Sequence, residues 1–196
     1  YYTGYFDAAT SFRHALFQTV SIASTTGFAS SDFNLWPDFS RYVLLLLMFV
    51  GGCSGSTAGG MKVSRFVILL KVTWAELRRT IHPRLVYSIK MGGRNVPPVV
   101  VGNVTRFFYL YMIVFSTLTL LISLTGLSML DSMGIIAACM SSVGPAFGIV
   151  GPTATYADVS TFGRLVVIAA MILGRLEIFT LLIIMRPDFW RVKRNW

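Results

Sequence analysis

The chain has 196 residues, of which 55% are hydrophobic and only 13% charged, with a mean hydropathy of +0.68. A soluble domain carries about 25% charged residues, so this composition argues against disorder, a collagen-like fold and an ordinary cytosolic enzyme. Seventeen Lys and Arg face eight Asp and Glu, leaving a net charge of +9. On so apolar a chain, where that charge sits matters more than its size.

Residues 6–24 read as a short helix with Thr10 or Ser11 as its N-cap. Its helical part, 12–23, is about 18 Å long at 1.5 Å per residue, too short to cross a bilayer. It runs into Thr25, Thr26, Gly27 and Phe28, then a polar stretch reaching Pro37. Residues 39–71 begin as a spanning helix, meet a loop at 51–60, and resume from Met61 with basic residues among apolar ones. That loop holds Gly51, Gly52, Gly55, Gly59 and Gly60. Each glycine costs a helix about 1 kcal/mol relative to alanine, so the sequence predicts a broken helix. At membrane depth such backbone is tolerated only when buried in protein or lining a watery cavity.

Residues 72–105 read as a basic linker punctuated by His82-Pro83, Gly92-Gly93 and Pro97-Pro98. From 107 to 130 the chain carries no charge, enough helix to cross about 30 Å of hydrocarbon. Asp131 is the expected N-cap of a second short helix over 132–141, which leads into Ser142, Val143, Gly144 and Pro145. A last span is expected over 159–185, with Trp190 and Trp196 among basic residues at a membrane interface. Cys53 and Cys139 read as small buried residues, without a disulfide framework. Position 1 is Tyr, and the chain reads as part of a longer polypeptide.

Nine basic residues lie between Lys62 and Arg106, where Glu76 is the one acid, and four more close the chain after residue 185. Asp7, Asp32, Asp38, Asp131 and Asp158 lie in segments with few basic residues. The positive-inside rule therefore puts 72–105 and the C-terminus in the cytoplasm and the acidic segments outside. Nucleic-acid binding is disfavoured: the charges flank spans and match no binding motif.

One pattern occurs twice: a short helix, a tetrapeptide with glycine third, an outer loop and a long helix. Gly27 and Gly144 are 117 residues apart. The expected fold is therefore all-α and membrane-integral, with repeated helix, pore helix, filter and helix units and a broken helix in the first. The units divide as 1–71, which lacks its first span, the linker 72–105, and 106–196.

A half-membrane helix followed by an extended Thr/Ser-x-Gly-x strand is the local design of a potassium filter, because carbonyls along the strand replace the ion's water shell. Glycine permits the backbone angles, and the helix points its negative end at the ion. Thr25 or Ser142 would add a hydroxyl ligand at the inner end. Residues 25–28, the run 51–62, Val143-Gly144-Pro145 and the stretch 174–182 together resemble the C-terminal half of a Trk/Ktr-type potassium transporter. Cys53 within the glycine loop and the linker motif at 82–92 favour the Trk branch.

The resemblance implies four pseudo-repeated pore units in one chain, with most of the third and all of the fourth here. It implies filter strands at 25–28 and 142–145, with potassium contacts at Thr25, Thr26, Ser142 and Val143. It implies a gating loop at 51–60 and a constricting arginine at Arg175. It also implies a homodimer, a cytosolic nucleotide-binding regulatory subunit, and no cofactor beyond transported potassium. Ala146 and Ser142 depart from the family's usual Gly and Asn. Lys62 and Arg65 are placed to meet the regulatory subunit.

Blander readings stand beside these. A guanidinium at mid-bilayer costs roughly 2.5–3.5 kcal/mol on insertion scales, so Arg175 needs water, an acid such as Glu177, or the pore. The glycine loop also suits close helix packing. Its spacing fails as a phosphate-binding loop, since Gly60 is followed by Met61 and Lys62. The Gly52-Cys53-Ser54-Gly55 run has the shape of an intramembrane serine hydrolase site. The candidate bases, His14 and His82, are both expected far from mid-membrane. A non-conducting scaffold half is a third reading. His14 has no neighbouring ligands from which to build a metal site.

Overall fold

The computed structural model describes residues 7–53, 55, 56, 58–82 and 88–175. The first helix, α1, covers Ala8–Ala23. It begins a turn before the expected start, with Asp7 rather than Thr10 or Ser11 as N-cap. Asp7 caps through its backbone: its carbonyl accepts the Ser11 N–H at 2.8 Å. A 3₁₀ turn at Phe33–Leu35 leads to α2, Asp38–Phe49.

The chain then forms β1, Val50–Gly51, loops through 52–60 and returns as β2, Met61–Lys62. These two strands pair in parallel, Val50 with Met61 and Gly51 with Lys62. The chain thus rejoins its own line at the same level and in the same direction. Helix α3, Val63–Ile81, follows at once.

Helix α3 runs ten residues past the expected linker boundary at 71, and α4, Pro98–Ser123, starts well before 105. The segment between helices is therefore 82–97. Pro98 sits in the first helical turn, where its missing N–H costs nothing. Between them lies a hairpin, β3 Lys90–Met91 with β4 Arg94–Asn95, turned by Gly92 and Gly93 at φ +56° and +79°. Two positive φ values are the signature of a type I′ turn. Lys71 Nζ donates to the Lys90 carbonyl at 2.6 Å and ties the hairpin to α3.

Helix α4 is the one described helix long and apolar enough to cross a membrane. Helix α5, Met129–Met140, is capped by Ser128, whose hydroxyl accepts the Asp131 N–H, so the expected Asp131 cap is replaced by Ser128. Helix α6 is described over Thr161–Arg175.

Helix α5 is the centre of the fold, touched by α2, α4 and α6. Ile135, Ile136, Ala137, Ala138 and Met140 are fully buried. Among lipid tails there is little hydrophobic drive between helices, so close fit has to hold them. Small residues provide it: a Cβ on Gly134 would meet the Phe147 ring at 2.9 Å, and one on Gly174 would strike the Met140 carbonyl. The outward side chains of α4, such as Ile113 and Leu120, are exposed and suited to lipid. Cys139 is buried as expected, but Cys53 is exposed in the loop.

Asn34, in the 3₁₀ turn before α2, reaches a second 3₁₀ turn at Gly148–Val150. Its Nδ2 donates to the Gly148 carbonyl at 3.2 Å and its Oδ1 accepts the Gly148 N–H at 3.0 Å. Phe33, 1% exposed, packs edge-on against Phe147 beside it at 5.4 Å. Asn34→Ala leaves the Gly148 N–H unpartnered, while the Gly148 carbonyl keeps the Gly151 N–H at 3.2 Å, a loss of about 1 kcal/mol for a part-buried group. A lowered thermal midpoint in detergent is the expected result, and an unchanged midpoint would show that the clasp is dispensable.

Candidate functional site

Helices α1 and α5 end alike. The Ser24 N–H donates to the Val20 carbonyl, Thr25 to Ile22 and Thr26 to Ser21. At a spacing of 117 residues, Ser141 donates to Ala137, Ser142 to Cys139 and Val143 to Ala138. Thr25 and Ser142 are the only positive-φ non-glycine residues described, at +56° and +57°, and Gly27 and Gly144 follow at +77° and +103°. A β-branched threonine in the left-handed region is an outlier that surrounding structure has to hold, at a cost of about 1–3 kcal/mol. Such strain, repeated at corresponding positions, marks these two tetrapeptides as the candidate site.

The tetrapeptides lie side by side. A Cβ on Gly27 would overlap the Val143 carbonyl and come within 3.1 Å of Pro145 Cδ. The bare glycine is what admits that carbonyl. One carbonyl of each tetrapeptide is tied back: Phe28 accepts the Ser21 hydroxyl and Gly144 accepts the Tyr156 hydroxyl, each at 2.6 Å. Among the described residues, no hydrogen bond ends on the carbonyls of Thr25, Thr26, Gly27, Ser142 or Val143. Each set sits at the C-terminal, electronegative end of its helix.

The glycine loop packs against the second tetrapeptide. A Cβ on Gly59 would strike the Ser141 carbonyl and come within 2.9 Å of Ser142 Cβ, and one on Gly60 would lie 3.3 Å from Ser141 Oγ. Gly51 abuts the Gly59 carbonyl, and Gly52 lies against Ser56 and Ala58. Gly55 has open space around it at φ +87°. A cavity of about 350 Å³ is lined by Gly55, Gly59, Gly60, Lys62, Gly174 and Arg175, among others. The fold therefore brings the glycine loop and Arg175 to one place. Arg164 and Arg175 share α6, as expected, and Arg164 Nε donates to the Val159 carbonyl at 3.0 Å. Ser54 and Glu177 lie outside the described residues.

Two contacts escape a reading of the sequence, those of Lys62 and Tyr156. Lys62, expected to face a partner, donates from Nζ to the Ser56 carbonyl at 2.6 Å and the Ala58 carbonyl at 2.7 Å, stapling the loop from its exit. Arg65, expected there too, lies over the Phe107 ring at 4.2 Å. A lysine where a glycine loop re-enters a helix is the signal that could have found the staple. Tyr156 leaves no such signal, because its partner is twelve residues back across a loop. His14 Nδ1 pairs with Ser30 Oγ at 2.9 Å. His82 closes α3, after about 28 Å of helix.

A membrane-length helix packed on a buried short one, with two strained tetrapeptides side by side, fits a helical membrane protein in which, among the described residues, carbonyls without hydrogen-bond partners are brought together. The family described as TrkH, cation transport protein, matches residues 2–191, and the chain belongs to it. The Trk system potassium uptake protein TrkH of Vibrio parahaemolyticus is 45% identical over 190 residues, 97% of this chain and 38% of that protein. The protein of the same name from Escherichia coli K12 is 40% identical over 187 residues, 95% of this chain and 38% of its own length. The crystal structure of the potassium transporter TrkH from Vibrio parahaemolyticus superposes with a TM-score of 0.86 at 44% identity, covering 95% of this chain and 40% of that one. The chain thus spans about two-fifths of the length of these relatives.

Proposed function

We propose that this chain supplies two of the strands and the gate of a potassium uptake pathway across the cytoplasmic membrane. The observation that carries the reading is the repeated strained turn, with open carbonyls, at the ends of two short helices that meet. Residues 25–28 and 142–145 act as filter strands, and the carbonyls of Thr25, Thr26, Ser142 and Val143 replace water around the ion. Potassium is the cargo, carried without a cofactor. The relatives' names as potassium uptake proteins support this choice of ion.

Beneath the filter, the loop at 51–60 interrupts the inner helix and, with Arg175, closes the path. The snug fit of Gly59 on Ser141 and Ser142 supports that placement. A guanidinium beside the path repels a cation until the loop and arginine move together. The units divide near 1–71 and 106–196, with the basic segment between helices and the C-terminus cytoplasmic.

A filter ring needs further strands, which the remaining pore units of the full protein supply. The large exposed side chains of α1, including Phe12, Leu16 and Phe17, suit such packing or lipid. Assembly as a homodimer with a cytosolic nucleotide-binding regulatory subunit completes the proposal. Hydrolysis at Ser54 has no support from the two histidines, since His14 is bonded to Ser30 and His82 sits at the far end of α3.

The test is potassium uptake by the intact protein in cells lacking other uptake systems. Gly27→Ser is expected to abolish uptake at normal membrane abundance. Wild-type uptake with an unaltered preference for potassium over sodium would refute the filter assignment.

A further inference from the structure

The two tetrapeptides are restrained by different side chains. Ser21, on α1 itself, holds the Phe28 carbonyl. The residue at the matching position of α5, 117 further on, is Ala138, which has no hydroxyl to offer. The second tetrapeptide is held instead by Tyr156, from the 3₁₀ turn Tyr156–Asp158 in the following loop, through the Gly144 carbonyl at 2.6 Å. Conversely, the 3₁₀ turn that stands before the long helix in the first half, Phe33–Leu35, opens with Phe33 where the second opens with Tyr156, and Phe33 has no hydroxyl. Among the described residues, each tetrapeptide thus has one carbonyl held by a side-chain hydroxyl, and the two hydroxyls come from different elements.

We propose that Tyr156 is a positioning residue for ion discrimination, restraining the Gly144 carbonyl so that the second strand cannot draw in around a smaller cation. The inference rests on the conduction reading above. Gly144 is the joint most able to swing, since it has no Cβ, stands at φ +103° and has open space on its side-chain face. Sodium is smaller than potassium, so coordinating it requires the ring of carbonyls to contract. The Ser142 and Val143 carbonyls are the proposed ligands, and a strand pinned at the adjacent Gly144 carbonyl by a fixed phenol resists that contraction where an unpinned strand does not.

The phenol is itself oriented. Cys139 Sγ lies 3.4 Å from Tyr156 Oη, and because the phenol proton is given to the carbonyl, the thiol is the donor in that pair. Burial, with Cys139 beside it, raises the Tyr156 pKa, so the hydroxyl stays protonated and remains a donor at physiological pH.

The experiment is sodium competition against potassium uptake in the intact protein, for wild type, Tyr156→Phe, Ser21→Ala and Gly27→Ser. Loss of one hydrogen bond at Tyr156→Phe is expected to lower the potassium-over-sodium preference roughly two- to tenfold. Ser21→Ala, which frees the other strand, is expected to lower it similarly. An unchanged preference in Tyr156→Phe, even with reduced abundance or thermal stability, overturns the proposal and leaves the hydroxyl as packing. The Gly27→Ser arm separates the two readings. If that variant still transports, the filter assignment itself fails. If it is inactive while Tyr156→Phe keeps full preference, the tether alone fails.

Discussion

Gly27→Ala is expected to lose potassium uptake, while Gly144→Ala is expected to retain a measurable part of it. Both glycines lie at positive φ, +77° and +103°, where an L side chain costs roughly 1–2 kcal/mol. Their surroundings differ. A methyl at Gly27 would occupy the place of the Val143 carbonyl, whereas a methyl at Gly144 meets nothing within 4 Å. The Gly27 variant must therefore displace a proposed ion ligand in the neighbouring strand, and that ligand's place is set by the backbone rather than by a yielding side chain. Gly144→Ala bears only the conformational cost. Uptake normalised to membrane abundance distinguishes them. Equal activity in the two variants would show that the contact between Gly27 and Val143 is not part of the conducting arrangement.

The helix ends at these tetrapeptides are legible because the chemistry that ends them is local. Ala23 and Met140 each precede a Ser, a polar residue at positive φ and a glycine two places later. The starts are harder to read. Ser128 and Asp131 are two ends of one capping interaction, in which Ser128 accepts the Asp131 N–H. The sequence alone does not say which of the pair is the cap. Pro97-Pro98 reads as a breaker, yet Pro98 opens α4, because proline is excluded from a helix interior and not from its first turn.

Tertiary hydrogen bonds leave no trace in periodicity. Asn34 meets Gly148 across 114 residues, and Tyr156 reaches Gly144 across twelve. Nothing about an Asn between Phe33 and Leu35, or a Tyr between Thr155 and Ala157, announces such a partner. The loop gives an intermediate case. Its five glycines predict the break from helix, but the pairing of β1 with β2, which returns the chain to its own line, rests on main-chain groups that every residue carries.

Lys62→Met is expected to raise potassium flux and weaken its regulation. The ammonium of Lys62 donates to the carbonyls of Ser56 and Ala58, so it closes the loop on itself where the loop re-enters α3. Hydrogen bonds from a charged donor contribute about 1.5–3 kcal/mol each. Because Lys62 is only half-buried, about 2 kcal/mol for the pair is the better figure after screening by water. At 1.4 kcal/mol per factor of ten, freeing the loop would raise the open population by up to roughly 30-fold. Methionine is unbranched and flexible enough to fill much of the space the lysine chain occupies, so the change falls on the two carbonyls and the charge.

Arg175→Ala is expected to act in the same direction, since Arg175 lines the same cavity as Gly59, Gly60 and Lys62. Lys62→Arg keeps a cationic donor and is expected to restore part of the control, though a planar guanidinium cannot reproduce both ammonium bonds. Flux through the intact protein in liposomes, measured without cytosolic components, isolates the loop from any partner. Lower flux from Lys62→Met at normal protein content would show that the staple holds the loop in its conducting shape and not in its closed one, reversing the proposed sense of the gate.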